Sequence, residues 1–379
     1  MGRARVLVLA LALTACAKKP PVFLGQRMPA GCQTSPGSES ERCKGWILDR
    51  LLMTVAFTPY RDRALGAYVA RVGERLVLAS GDHRRWQFRV LDGQDIQAYA
   101  GLDTVVYINR GAIAALRDEA ELAGVIGHEI GHVLGGHGHE SFEELGKDLP
   151  RTQRAGADAV RFARDDEIQA DETAVLLLAR AGYDARGVER MLRAYAATAP
   201  TDGDAPEDHH PRWTERIARV QVLALQHPGG RTDQVAFRAH VASLVVGADP
   251  RRQTLLGDTV VFAELGLAID LPPGRETSVE GDSISRLIDA GTAVDVRVIN
   301  ADLARFFPTE QKDGIASAVV LRGSQALVIT AKAADPKRIV TALRARVRSP
   351  TPIELAQIAP KRIDLDQPRL LWLPPVATE

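Results

Sequence analysis

Residues 121–140 read ELAGVIGHEIGHVLGGHGHE. Apolar residues recur through this run at helical spacing, and Asp118, Glu119 and Glu121 gather where a helix dipole favours acidic groups. The spacing predicts a helix starting near Asp118. His128 and His132 stand four residues apart in it, so they share one face and can direct two imidazoles to one metal ion. Val125, Ile126, Ile130, Val133 and Leu134 surround the pair, as expected for a helix buried below the site it carries. Gly127, Gly131, Gly135 and Gly136 cost helix stability but allow close approach of neighbouring backbone.

The segment His128-Glu129-Ile130-Gly131-His132 fits H-E-x-x-H. Zinc accepts neutral imidazole at about 2.0–2.1 Å and prefers tetrahedral geometry. Glu129 lies about 100° around the helix from His128. That sets its carboxylate beside the metal, in position to take a proton from a bound water whose pKa zinc lowers to around 7. A third ligand is needed downstream, and the run DDEIQADE (165–172) offers one. Glu167 and Asp171 are again four apart. Glu167 can complete a His-His-Glu set with the fourth position left for water, and Asp171 can accept the other ring N–H of a ligating histidine. Asp166 and Glu172 are the alternatives within the run. A solvated acidic face is the blander reading, but the run leads into AVLLLA (174–179), so this helix has a buried side. Glu140, Glu143 and Glu144 are nearer in sequence but follow helix-ending glycines. His137 and His139, just past the helix, read as polar loop residues.

The chain has 379 residues, 45% apolar and 25% charged, with zero formal net charge. That is ample for a sizeable core, and the charge balance gives no sign of a nucleic-acid surface. Helical spacing also marks 46–78, 163–183, 184–197 and 212–226. Strand-like runs occupy 86–92, 104–113, 259–272, 293–300, 316–323 and 325–333, and Pro336 opens a last helix through Arg346. Composition changes after about Arg231. The fold class expected is α+β, with a mainly helical domain over 46–230 and a smaller α+β domain over 231–379 in which no catalytic constellation is visible.

The N-terminus has a basic start, Met1 to Arg5, and an apolar run from Val6 to Ala15. The run is too short to span a bilayer and fits a signal peptide over 1–15. Leu13-Thr14-Ala15-Cys16 resembles the bacterial lipobox, in which the chain is cut before a cysteine that is then acylated. The resemblance implies a mature chain held to the membrane by a lipid on Cys16. With Ala17 rather than Asp following, it implies the periplasmic face of the outer membrane. Residues 16–45 read as a tether rich in Pro, Gly and Ser. Export implies an oxidising compartment, in which Cys32 and Cys43 are expected to pair; the alternative is two unpaired thiols in the tether. No later segment is long and apolar enough for a transmembrane helix.

ELAGVIGHEIGHVLGGH, EIQAD, AGYDARGVERML and HHPRWTERI follow one another in an order that resembles metallopeptidase family forty-eight, over roughly residues 60–225. The resemblance implies a gluzincin-type helical domain with a small β-element beside the cleft. It implies one zinc held by His128, His132 and Glu167, Glu129 as general base and acid, and Asp171 behind the ligands. Its H-P-x-x-x-x-R block falls on His210, Pro211 and Arg216. By resemblance His210 can close the fourth metal position as a switch, and Arg216 lies near the cleft, where it could stabilise an oxyanion; a surface loop histidine and a helix-surface ion pair are the plainer roles. The segment TVVYINRG resembles the family's edge strand, along which a peptide can pair. The chain departs from the family at Gln97-Ala98-Tyr99, where NAF is common. The function implied is a zinc endopeptidase of the bacterial envelope acting on unfolded or misassembled envelope polypeptides. The alternative is a latent zincin serving as a peptide-binding chaperone or assembly lipoprotein.

Overall fold

In the computed structural model of the chain, residues 22–23, 26–27, 32, 41–55, 57–101, 104–137, 164–198, 213–280, 283–307 and 314–365 are described. Cys16, His139, Glu140, Glu143, Glu144, His210 and Pro211 lie outside them.

A two-residue ladder pairs β1 (Val22–Phe23) with β2 (Gln26–Arg27). Cys32 is joined by a disulfide to Cys43, with 5.4 Å between their Cα atoms. Cys43 sits in the first turn of α1 (Glu41–Val55). Helix α2 (Arg63–Ser80) starts where the Asp62 carboxylate accepts the Leu65 N–H, satisfying a donor that the first turn leaves free. Its Leu65, Val69, Val72 and Leu76 form one buried stripe.

Three strands follow: β3 (Gln87–Leu91), β4 (Ala98–Ala100) and β5 (Val105–Asn109). Their order is β3-β5-β4, with β3 parallel and β4 antiparallel to β5. The strand expected to form the sheet edge is therefore the central one. The edge beside the histidine helix is β4, with Ala98, Tyr99 and Ala100 paired to Ile108, Tyr107 and Val106. All five residues of β5 are buried, as a central strand requires.

The predicted strand over 104–113 also ends early. Residues 110–114 turn into a short helix, α3 (Arg110–Ala114). Periodicity cannot separate strand from helix in so short an apolar run. Tertiary contacts decide it. The Arg110 guanidinium is buried, paired with Asp92 and donating to the carbonyls of Val245 (2.8 Å) and Gly247 (2.6 Å).

The helical layer consists of α4 (Glu119–Gly135), α5 (Arg164–Arg180), α6 (Gly187–Ala196), α7 (Trp213–Ala224) and α8 (Gln234–Val241). Asp118 caps α4 by accepting the Glu121 N–H at 2.8 Å. Helix α5 lies along α4 so closely that a Cβ at Gly131 would stand 2.8 Å from the Ala170 Cα. The core under these elements includes Ile126, Ile130, Val175, Leu178 and Val188. It also takes in Phe237, Val241 and Val246, beyond residue 231, and Ile363 from near the end of the described chain.

The remaining sequence forms two antiparallel sheets. One has the order β14-β8-β7-β6, from β6 (Thr254–Leu256), β7 (Thr259–Phe262), β8 (Leu267–Asp270) and β14 (Val347–Arg348). The other has the order β12-β13-β11-β10-β9, from β9 (Glu276–Glu280), β10 (Ser283–Asp289), β11 (Thr292–Asn300), β12 (Ile315–Arg322) and β13 (Gln325–Lys332). The single run expected over 259–272 is two strands, β7 and β8, broken by a 3₁₀ turn at Ala263–Leu265 that ends on Gly266 at φ 62°. Helix α9 (Pro336–Arg344) adds Val340 and Leu343 to a second core with Phe262, Ile284, Val296 and Ile329. A short α10 (Pro352–Ala356) follows. The fold is thus α+β, helical around the histidine helix and β-rich afterwards. Among the described residues no helix is long and apolar enough to cross a membrane.

Candidate metal centre

Helix α4 presents His128 and His132 on one face, with ring centroids 4.6 Å apart and planes at 88°. Their Nε2 atoms are 3.0 Å apart. Glu167, from the first turn of α5, turns toward both. Its Oε2 is 3.6 Å from His128 Nε2 and its Oε1 3.5 Å from His132 Nε2. Zinc bonds of 2.0–2.1 Å at tetrahedral angles require donors about 3.4 Å apart. The three separations bracket that value, so the donor set fits a single small ion. His132 is 1% exposed and Glu167 4%, so the donors are held by packing. Among the described residues these three form the one cluster of histidines and carboxylates that could hold a metal.

Behind the donors lies a charged frame. Asp171 Oδ1 is 2.9 Å from His128 Nδ1. Arg216, on α7, donates to Asp171 through Nε at 2.7 Å and Nη2 at 2.9 Å, and its Nη1 is 2.9 Å from Glu167 Oε2. The guanidinium also lies 5.1 Å from the centroid of the Trp213 ring. Arg216 is 6% exposed. Neither expected role for it matches this placement. It is not a surface ion pair, and three of its nitrogens face the two carboxylates rather than an open cleft. Burial between Asp171 and Glu167 is the physical reason, since two neighbouring carboxylates in a dry site require a shared cation.

The electrostatics of the protein groups follow from this frame. Burial raises the Asp171 carboxyl, but Arg216 and His128 outweigh it and hold the group below the usual range. Burial disfavours the charged His128, yet the bond to Asp171 more than offsets this and its pKa is raised. Burial, with the positive charge of His128, pushes His132 down to about 2, so its imidazole is neutral, the form that ligates metal. Glu129 is buried at 6% exposure and pushed up to about 7, mainly by desolvation, with the Glu167 charge adding to it and His128, Arg216 and the Ala100 N–H opposing. Its partner Ala100 is the last residue of β4, which ties the strand edge to the carboxylate between the histidines.

His137 does not behave as a loop residue. It is 9% exposed, and its Nδ1 lies 3.0 Å from His132 Nδ1 while its Nε2 lies 2.8 Å from Gln169 Oε1. The H-x-x-x-x-H spacing from His132 was the available signal, but a residue past two glycines gives no indication of which way it folds. Asp166 is 3.6 Å from His137 Nε2 and lies at the flank of the donor set, outside it.

Two histidines four apart on a buried helix, a glutamate between them and a third carboxylate from the packed neighbouring helix form a site of the kind that can hold a metal ion beside a general base. Residues 63–159 match the family described as peptidase family M48. The chain is similar to a putative beta-barrel assembly-enhancing protease of Vibrio cholerae, 25% identical over 221 residues, which are 50% of this chain and 46% of the relative. It is similar to the mitochondrial metalloendopeptidase OMA1 of Arabidopsis thaliana, 29% identical over 158 residues, 36% of this chain and 32% of the relative. It is also similar to the metalloprotease YcaL of Escherichia coli, 26% identical over 157 residues, 35% of this chain and 60% of the relative. The chain thus spans about half or less of the first two relatives and three fifths of the third.

Proposed function

We propose that the chain is a zinc-dependent endopeptidase of the bacterial cell envelope. The observation that carries the reading is the triangle of His128 Nε2, His132 Nε2 and the Glu167 carboxylate, with sides near those a tetrahedral zinc imposes. When bound there, zinc supplies Lewis-acid polarisation of the scissile carbonyl and lowers the pKa of water.

The chain's own residues do the rest. Glu129 takes a proton from the attacking water and hands it to the departing amine nitrogen. Its carboxyl, pushed up to about 7, suits both directions of transfer near neutral pH. Asp171 accepts the Nδ1 proton of His128 and so keeps Nε2 bare for the metal. Arg216 holds Asp171 and Glu167 in place. The edge of β4 that does not pair with β5 can take an extended peptide antiparallel, with the N–H and carbonyl of Ala98 and the carbonyl of Ala100 as the outward groups, the Ala100 N–H being taken by Glu129. Unfolded or misassembled envelope polypeptides fit an open edge of this kind, because they expose unpaired backbone. The names of the beta-barrel assembly-enhancing relatives point the same way. Anchoring by a lipid on Cys16 would place the site at the periplasmic face of the outer membrane, and His210 would close the fourth metal position as a switch.

The test is zinc content and casein cleavage of the purified chain beside Glu129→Gln and His210→Ala. One zinc per chain, with cleavage lost in Glu129→Gln, is expected, and a rise in His210→Ala would support the switch. Zinc bound but no cleavage in any variant would favour the latent, peptide-binding reading. A chain that takes up no zinc would sink the proposal.

A further inference from the structure

We propose that His137 is a positioning residue of the metal centre, fixing the tautomer and ring orientation of His132 through a relay that runs from His132 to His137 to Gln169. The inference rests on the zinc reading above. If His132 presents Nε2 to the metal, its single proton sits on Nδ1, because a neutral imidazole carries one. That Nδ1 is 3.0 Å from His137 Nδ1, so His137 accepts there. The proton of His137 then sits on Nε2, which lies 2.8 Å from Gln169 Oε1, a carbonyl oxygen that only accepts. One assignment, zinc on Nε2 of His132, therefore fixes every proton along the relay and leaves no two donors facing each other.

The backbone folds to make this contact. Gly136 is left-handed at φ 74°, and its N–H returns to the carbonyls of His132 and Val133. The N–H of His137 also returns to the His132 carbonyl, at 3.1 Å. Such a reversal at a helix end favours glycine. It lays the His137 ring over position 135, where an added Cβ would overlap Nε2 and stand 2.7 Å from Cε1. Gly135 thus leaves room for the ring and Gly136 turns the chain that carries it. Gln169 comes from α5, two residues after Glu167, so the relay also ties the histidine helix to the element that supplies the third donor. The two ligand histidines are supported differently. His128 donates to the Asp171 carboxylate, whereas His132 donates to a neutral ring, which orients it without adding charge.

The experiment measures zinc affinity of the full chain by competition with a chromophoric chelator. Removing a partner of this kind typically weakens metal binding about 10–100-fold, and that loss is expected for His137→Ala. In His137→Asn the side-chain Oδ1 stands where the ring Nδ1 stood and keeps the acceptor, so affinity is expected to stay within about threefold of wild type. Gly135→Ala, which displaces the ring, is expected to lose affinity as His137→Ala does. Circular dichroism melting checks folding. If His137→Ala does not fold, Gln169→Leu replaces it, carried together with Asp166→Ala because Asp166 Oδ1 lies 3.6 Å from the same Nε2: Gln169 is exposed, and loss of both acceptors is expected to weaken zinc about tenfold. Wild-type affinity in His137→Ala, in the double variant where that replaces it, or equal losses in the Ala and Asn variants, would overturn the relay while leaving the zinc reading standing. No zinc on the wild-type chain would sink both.

Discussion

Glu129 and Glu167 are buried glutamates at one site, and their surroundings separate their tasks. Glu167 faces two imidazoles and a guanidinium. Glu129 has one backbone donor and is pushed up to about 7 by burial. Glu129→Gln keeps the shape and removes the proton carrier. Its kcat/KM on a peptide substrate is expected to fall about 10²–10⁴-fold with zinc affinity unchanged, as read by steady-state kinetics and chelator competition. Arg216 makes a different prediction. Arg216→Met leaves Asp171 and Glu167 buried without their cation, which typically costs about 3–5 kcal/mol. Urea unfolding of the chelator-treated chain should show that loss; a change below about 1 kcal/mol would mean the three contacts are not what holds the frame. Spacing singled out His128, Glu129 and His132 and offered Glu167 and Asp171 with Asp166 and Glu172 as alternatives; the family resemblance chose among these and set Arg216 near the cleft. Neither could orient Arg216 or His137, because direction depends on a neighbour far along the chain or on a turn whose sense glycine leaves open.

The contact between α4 and α5 sets the distance from the histidines to Glu167. It is closest at Gly131, where a Cβ would stand 2.8 Å from the Ala170 Cα and 2.9 Å from its carbonyl oxygen. At Gly127 the equivalent contacts, to the Ala174 Cα and Cβ, are 3.3 Å. Gly131→Ala must therefore push the helices apart, while Gly127→Ala asks only a few tenths of an ångström. Overpacking of this kind costs about 1–3 kcal/mol. The larger loss of Tm and the weaker zinc binding are both expected in Gly131→Ala; equal behaviour of the two variants would show that the contact does not set the site. Helices α4, α5 and α7 were legible because each carries a long apolar period. The β-elements were less so. Strand β4 is three residues, too short for a pattern, and only its pairing to β5 makes it the edge. Strands β9 and β10 are not among the strand-like runs of the sequence, because β10 carries an inward Arg286, 4% exposed, paired with Asp258 and donating to the Pro272 carbonyl.

Over the whole molecule, two cores are joined through polar side chains as well as chain connectivity. Arg252, just before β6, reaches Asp92 at 3.1 Å, and Arg50 of α1 reaches Asp302 at 2.8 Å. Arg110 is the most enclosed of these links. At 2% exposure it pairs with Asp92 and donates to the carbonyls of Val245 and Gly247, the segment where the chain leaves the helical core for the sheets. Arg110→Met would leave one carboxylate and two carbonyls short of a donor. Asp92 keeps its pair with Arg252, so the cost expected is that of buried acceptors left without a donor, about 1–3 kcal/mol. Arg110→Lys should recover only part of it, because a single ammonium cannot span three acceptors that a planar fork reaches together. Neither variant touches the metal donors, so zinc affinity of the folded protein should match wild type. Urea unfolding followed by circular dichroism, run beside chelator competition, separates the two quantities. A fall in zinc affinity with stability unchanged would mean that this junction controls the site rather than the fold, contrary to the distances observed.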